Sequence, residues 1–206
     1  AERQMVVSIF TDKVGEVLTG TVLRVEPNGR VAFSFQNNVE AYLFRREQIY
    51  SENFSFGDHV RLLLLDVNDN PHKDSQLTIS RTHPSLLIKL FEMEVPEIFD
   101  GIVKIVNASR EPGRRAKISV YSTDDDVDPV GSCVGMRGSR VQAIVNDLNG
   151  EKIDIVHWSE DVAALVVSAL SPAEIQKVII DDQNRRIEVI LIPKLDELFE
   201  IISKDN

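Results

Sequence analysis

The stretch with the clearest chemical meaning is Val134-Gly135-Met136-Arg137-Gly138, followed by Ser139, Arg140 and Val141. Two glycines three apart, opening a run of helical periodicity, let another polymer's backbone come close, because neither carries a Cβ. The N–H groups of the helix start then point at whatever lies above the loop, and they favour anions. Arg137 adds positive charge at that point, and Arg140, close behind, stands in reach of the same anion. An apolar groove beside such a loop can hold unstacked bases, so the pattern predicts a clamp on single-stranded nucleic acid. Gly-x-x-Gly alone occurs at many helix starts. The longer Val-Gly-x-x-Gly-x-x-Val pattern from Val134 to Val141 carries the prediction. Arg114, Arg115 and Lys117 form the next basic cluster. Tyr42, just before Arg45 and Arg46, is a candidate for stacking on a base or meeting a phosphate. For Tyr42 a plain solvated loop is an equal reading.

Other chemistries find no constellation. Asp124, Asp125, Asp126 and Asp128 lack the glycine and terminal glutamate of a calcium loop and read as a solvated acidic turn. His59, His72, His83 and His157 are scattered, with no zinc-ligand spacing. His83, directly before Pro84, is placed to cap a helix. Cys133 reads as a small buried residue rather than an activated thiol. The glycine loop lacks the Gly-Lys-Ser/Thr of a triphosphate-binding loop. No catalytic residue, metal or cofactor is predicted. A single cysteine fits a reducing compartment. No signal peptide and no bilayer-length apolar run are visible, so the expectation is a cytoplasmic chain with no membrane contact.

The elements that must hold these residues fall into two kinds. The 206 residues, 43% hydrophobic and 27% charged, suit one large domain or two to three small ones. Five short Val-, Leu- and Phe-rich runs, at 17–26, 31–36, 39–44, 60–67 and 77–81, are separated by turn residues such as Pro27-Asn28-Gly29 and Asn37-Asn38. They predict a small closed all-β barrel of the OB type. Alternation puts Val31, Phe33 and Phe35 on one face; pattern alone leaves core or stacking platform open, with core favoured. Pro84 then opens a helix whose Leu86, Leu87, Leu90, Phe91 and Met93 repeat at helical spacing until Pro96. Strands at 102–106 and 117–120 flank a polar turn at 110–115. A helix at 140–148 carries the stripe Val141, Ile144, Val145 and Leu148, and a strand at 152–157 and a helix at 162–170 follow. That order is α+β, not alternating α/β.

Net charge is −10, which taken globally argues against nucleic acid. The excess is uneven. Residues 14–81 hold 7 basic and 9 acidic side chains, 98–158 hold 8 and 9, and 159–206 hold 5 and 10. Charges are screened within about 8–10 Å, so a near-neutral segment can still carry a basic patch.

Taken in order, these motifs resemble the NusA family of bacterial transcription termination and antitermination factors. The resemblance is carried by Lys13-Val14-Gly15-Glu16, Arg46-Glu47-Gln48-Ile49, Ser80-Arg81-Thr82-His83-Pro84 and Phe91-Glu92-Met93-Glu94-Val95-Pro96-Glu97-Ile98. It continues in Arg110-Glu111-Pro112-Gly113-Arg114, in the run from Asp128-Pro129 to Gln142-Ala143, and in Asn149-Gly150-Glu151-Lys152. It implies a multidomain chain: the tail of an amino-terminal domain at 1–13, an S1-type OB-fold barrel at 14–81 and a connecting helix at 82–97. A first KH domain of the prokaryotic type at 98–170 and a partial or degenerate second one at 171–206 complete it. By resemblance, Gly135, Met136, Arg137 and Gly138 form the RNA clamp. The implied partners are nascent single-stranded RNA, the RNA polymerase core (mainly through an amino-terminal domain that this chain lacks), and other elongation and antitermination factors. An RNA-processing accessory is the alternative, since S1 and KH modules also occur in exoribonucleases, though there KH precedes S1. A protein-interaction scaffold has only the net charge behind it.

The carboxy-terminal part departs from the family pattern. Ser171-Pro172-Ala173-Glu174 has the form of a helix-capping box, and strands are expected at 178–181 and 186–192. No second Gly-x-x-Gly follows. Leu195, Leu198, Phe199 and Ile202 instead predict an acidic amphipathic helix. A truncated second KH domain followed by altered sequence and a degenerate one both fit, and both imply weaker RNA binding there. With no long heptad and no apolar strand demanding a partner, a monomer is expected.

Overall fold

The computed structural model describes residues 2–70 and 74–192. His72 and the apolar positions Leu195, Leu198, Phe199 and Ile202 lie outside the described residues. The chain forms two compact units that divide between Ile155 and Val156.

The first unit opens with helix α1 (Glu2–Phe10). Five strands follow: β1 (Val17–Val25), β2 (Val31–Ser34), β3 (Glu40–Leu43), β4 (His59–Val67) and β5 (Leu77–Ser80). They form one antiparallel sheet in the order β3-β2-β1-β4-β5. The edge strands β3 and β5 lie against each other, so the sheet nearly closes into a barrel. Its turns use the expected residues. Arg30 N–H donates to Asn28 Oδ1 (3.1 Å), and Asn37 and Asn38 both take left-handed backbone, which asparagine tolerates better than most side chains.

Phe33 and Phe35 belong to the core. Phe33 is fully buried, sits edge-on to Phe54 at 5.8 Å, and packs with Val22, Leu43, Leu62 and Ile79. A Cβ on Gly20 would meet Phe35 Cε1 at 2.9 Å, so this glycine makes room for the two rings. Val6 and Phe10 of α1 join the same cluster. Each such buried side chain contributes roughly 1.5–3 kcal/mol.

Helix α2 (Pro84–Glu94) is capped by His83, whose Nδ1 accepts from Ser85 N–H (3.1 Å). Leu86, Leu87, Leu90 and Phe91 are buried, but Met93, expected on the same stripe, is 57% exposed. Pro96 does end α2, and it also opens a second helix, α3 (Pro96–Phe99). Strands β6 (Val103–Glu111) and β7 (Arg115–Ser122) run longer than their apolar cores suggest, because β6 has a largely exposed polar face and β7 extends through polar residues at both ends. The turn between them is correspondingly short. Helix α4 (Pro129–Val134), absent from the sequence-based expectation, precedes α5 (Ser139–Asp147) and β8 (Lys152–His157). The sheet order is β6-β7-β8, and α2, α4 and α5 pack on it through Ile118, Val120, Cys133, Ile144 and Leu148.

Two buried ion pairs join these pieces. Arg81, 2% exposed at the end of β5, donates to Glu52 Oε1 through Nε (3.1 Å) and again through Nη2. It also reaches the Arg61 carbonyl (2.8 Å), Asp147 Oδ1 (3.1 Å) and the Asp147 carbonyl (2.6 Å). Burial opposes its charge, yet Glu52 and Asp147 outweigh that and raise its pKa above the ordinary value. Arg110 and Glu151, both wholly buried, form a two-pronged pair at 2.7 and 3.0 Å. Glu151 also accepts from Gly113 N–H (2.8 Å), and Arg110 donates to the His83 carbonyl (3.2 Å).

The second unit contains α6 (Val162–Leu170), capped by Asp161, and the antiparallel hairpin β9 (Ile175–Asp181) and β10 (Arg186–Leu191). The sequence reading ends the preceding domain after Leu170; α6 instead packs against β9. No helix starts at Ser171-Pro172-Ala173-Glu174. Ala173 N–H closes a turn on the Leu170 carbonyl (2.9 Å), and the Glu174 carbonyl accepts from Ile192 at the hairpin edge. The capping-box pattern here marks a turn into a strand. Ile187, Ile190 and Leu191 are exposed on the hairpin.

Replacing Arg81 with Met removes the cation and strands Glu52 and Asp147. Unfolding in urea should then show a loss of about 3–5 kcal/mol; a loss under about 1 kcal/mol would mean that the joint contributes little to stability.

Candidate nucleic-acid interface

The glycine loop joins α4 to α5. Asp128 caps α4, its Oδ1 accepting from Val130 N–H (3.1 Å), with Pro129 in the first turn. The helix ends at Gly135, whose φ of 73° and ψ of 174° define a conformation open in practice only to glycine. A tight turn over Met136–Gly138 follows, with Arg137 at φ 54° and Gly138 at φ 79°. Reversing the chain in so few residues pushes the tip outward: Met136 is 88% exposed and Arg137 is exposed beside it. α5 begins with no side-chain cap on its first-turn N–H groups, although the Ser139 N–H itself closes on the Met136 carbonyl.

The two arginines differ in what they do. The Arg137 guanidinium makes no ion pair among the described residues. Arg140 lies folded back, its Nη1 donating to Glu97 Oε2 (2.8 Å) and to the Ser132 carbonyl (2.7 Å). The groove on that side is lined by Glu97, Asp126, Asp128, Ser132 and Met136, which is more acidic than a phosphate track. Half-buried Val141, Ile153 and Ile155 supply apolar surface on α5 and β8. Cys133 lies beneath the loop, fully buried. Burial first, then Glu97, pushes its thiol up to about 12, so it stays protonated and unreactive.

Comparison with known proteins covers the segment that contains this loop. Residues 81–158 match the NusA-like first KH domain. The transcription termination/antitermination protein NusA of Bacillus subtilis is 44% identical over 191 residues, covering 93% of this chain and 51% of that protein. Nearly the whole chain is thus similar to a NusA protein. The protein of the same name from Halalkalibacterium halodurans is also 44% identical, over 93% of this chain and 49% of its own length. That from Rickettsia conorii is 42% identical over 194 residues, 93% of this chain and 38% of its own length. The chain thus spans about half the length of the first two of these relatives, and less of the third.

The remaining cations singled out in the sequence are engaged. Arg114 pairs with Glu111 (2.7 Å) on the exposed hairpin tip. Arg115 lies 3.4 Å and Lys117 3.8 Å from Asp154. Tyr42 is half-buried and surrounded by a different pair of arginines from the one adjacent in sequence. Arg30 covers its ring at 4.0 Å, and Arg24 donates to its hydroxyl (3.1 Å). The stem of Arg45 turns away to lie against Gly29, while Arg46 projects into solvent beside Glu47. Two residues escaped the sequence reading. Glu97 meets Arg140 across 43 positions, which no local pattern reveals. Tyr50, 75% exposed, stands against Gly113 of the hairpin turn. The Asp124 to Asp128 stretch folds on itself, with Asp126 N–H donating to Asp124 Oδ1 (3.0 Å). Among the described residues no acidic, His or Cys cluster is arranged to hold a metal.

Gly135→Ala forces an unfavourable backbone and sets a Cβ 2.6 Å from Arg140 Cγ. Urea unfolding should show a loss of about 1–3 kcal/mol, and an unchanged midpoint would refute the strain argument. For Cys133 the folded chain keeps a proton that the unfolded chain releases, so stability should fall as pH rises from about 9 toward about 12. Native Cys133 should resist iodoacetamide at pH 8.5 and react once the chain is unfolded in urea; fast native labelling would contradict its burial.

Proposed function

We propose that this chain is the RNA-holding part of a transcription termination and antitermination factor, gripping nascent single-stranded RNA at loop 135–138. The observation that carries this reading is the pairing of exposed Met136 with an ion-pair-free Arg137 above the open start of α5. Phosphate would sit over those N–H groups, with Gly135 and Gly138 allowing close approach and Arg137 supplying charge. Bases would lie along the apolar surface of Val141, Ile153 and Ile155.

The nearly closed antiparallel sheet supports an S1-type OB fold over 14–81. The order α2, β6, β7, α4, α5, β8 supports a prokaryotic-type KH domain behind it, with the helix of 82–97 as its first element. In the second unit, α6, β9 and β10 repeat the helix-strand-strand opening of the first domain. The second KH domain therefore starts at α6, one helix before residue 171, and carries no glycine loop among the described residues. Arg114, Arg115, Lys117 and Arg46 are secondary contacts, available once RNA competes for their present carboxylate partners, and Tyr42, beside Arg24 and Arg30, is a further one. RNA polymerase and other elongation or antitermination factors are the proposed protein partners of a cytoplasmic, non-enzymatic protein.

Fluorescence anisotropy with labelled single-stranded RNA tests this. Binding should be salt-sensitive, and Met136→Asp with Arg137→Asp should abolish it. Arg137→Gln should lower the log–log salt slope by about one unit. Equal binding by the double variant, or no binding by the unaltered chain at low salt, would overturn the proposal.

A further inference from the structure

Arg140 occupies the position from which a second phosphate contact is expected, yet its side chain is already committed. Its stem lies across Gly135, where even a methyl group would come within 2.6 Å of Cγ. Its Nη1 bridges Glu97 on α3 (2.8 Å) and the Ser132 carbonyl in the last turn of α4 (2.7 Å). We propose that Arg140 is a positioning residue: with Glu97 it ties the loop to α3 and holds Gly135 in place, so that Arg137 alone of the two meets the phosphate. The inference rests on the RNA-clamp reading above.

Four features support it. Turning Arg140 outward would leave Glu97 without its cation and Ser132 without its donor, at a helix end where carbonyls lack partners of their own. Charge-assisted hydrogen bonds of 2.7–2.8 Å to two fixed acceptors are stronger than neutral ones. Glu97 is itself fixed, because its carbonyl accepts from Ile102 N–H (2.9 Å) at the entry to β6. Finally, Glu97, Asp126 and Asp128 line the groove on the Arg140 side and repel phosphate. An RNA backbone is thereby directed over the Met136–Arg137 side of the loop.

The test compares the unaltered chain with Arg140→Gln, Glu97→Ala, their combination, Arg140→Lys and Arg137→Gln. Binding of a short labelled single-stranded RNA is followed across a salt series. Hydrogen exchange at residues 134–138 is measured without RNA. Arg140→Gln and Glu97→Ala should each weaken RNA binding by about fivefold, the order expected of a part-exposed ion pair. The double variant should be no worse than either, the salt slope should stay as in the unaltered chain, and loop exchange should rise in all three. Arg140→Lys, which keeps a donor and a charge, should restore both readouts. Arg137→Gln should lower the slope by about one unit without speeding loop exchange. A slope lowered by Arg140→Gln, with binding unchanged or tighter in Glu97→Ala, would make Arg140 a direct phosphate ligand and overturn the proposal. Unchanged exchange in both single variants would also overturn it. If the unaltered chain binds no RNA, the clamp reading fails, and the exchange data still decide whether Arg140 positions the loop.

Discussion

A guanidinium cannot give up its proton, so a chain that buries one must bring acceptors to it. Arg81 is the group on which the first unit depends. Its acceptors come from a barrel loop (Glu52), a barrel strand (the Arg61 carbonyl) and the far end of α5 (Asp147). Arg61 reinforces the last of these, 3.3 Å from the other Asp147 oxygen, and Asn149 reaches back to Ser51 (2.9 Å). The apolar packing agrees, since Ile49 and Leu63 of the barrel share one cluster with the leucines of α2 and with Ile144 and Leu148 of α5. Barrel and KH domain therefore form one body. The helix that Arg81 holds at its carboxyl end is the helix whose amino end carries the glycine loop.

A net charge of −10 leaves room for the proposed phosphate site because of where the charges are spent. The cations at Arg114, Arg115, Lys117 and Arg140 face carboxylates within 4 Å. The Arg30 guanidinium is divided between Glu26, Asp74 and the ring of Tyr42. Arg137 stands apart at a tip where the backbone itself is left-handed. The proposed phosphate recognition then rests on local geometry more than on bulk charge.

Much of this was legible in the sequence, and the exceptions share a cause. The five barrel strands, the His83 cap, the α5 stripe and the glycine loop are local patterns, readable from periodicity and turn chemistry. Which face of β2 is inner was not, because alternation assigns Phe33 and Phe35 to one face without naming it; Gly20 on the neighbouring strand decides it. Helix α4 is six residues long and contains Gly131, too short to display a period. The Ser171 to Glu174 stretch satisfied a helix-start pattern that a turn satisfies equally well. The partners of Arg140 and Tyr42 come from distant positions or from adjacent strands, and no window along the chain brings them together.

The Arg110–Glu151 pair has a consequence for the order of events during synthesis. The two residues lie 41 positions apart, with β7, α4 and α5 between them. Until Glu151 has left the ribosome, the β6–β7 hairpin can form but cannot be dehydrated, because Arg110 would be sealed in without a counter-ion. Arg81 has Glu52 from the outset, but its second carboxylate, at Asp147, arrives almost as late. The seam between barrel and hairpin is therefore completed only when one short stretch, at the end of α5 and the start of β8, is in place. Its arrival closes both ion-pair networks, and with them the support beneath α5.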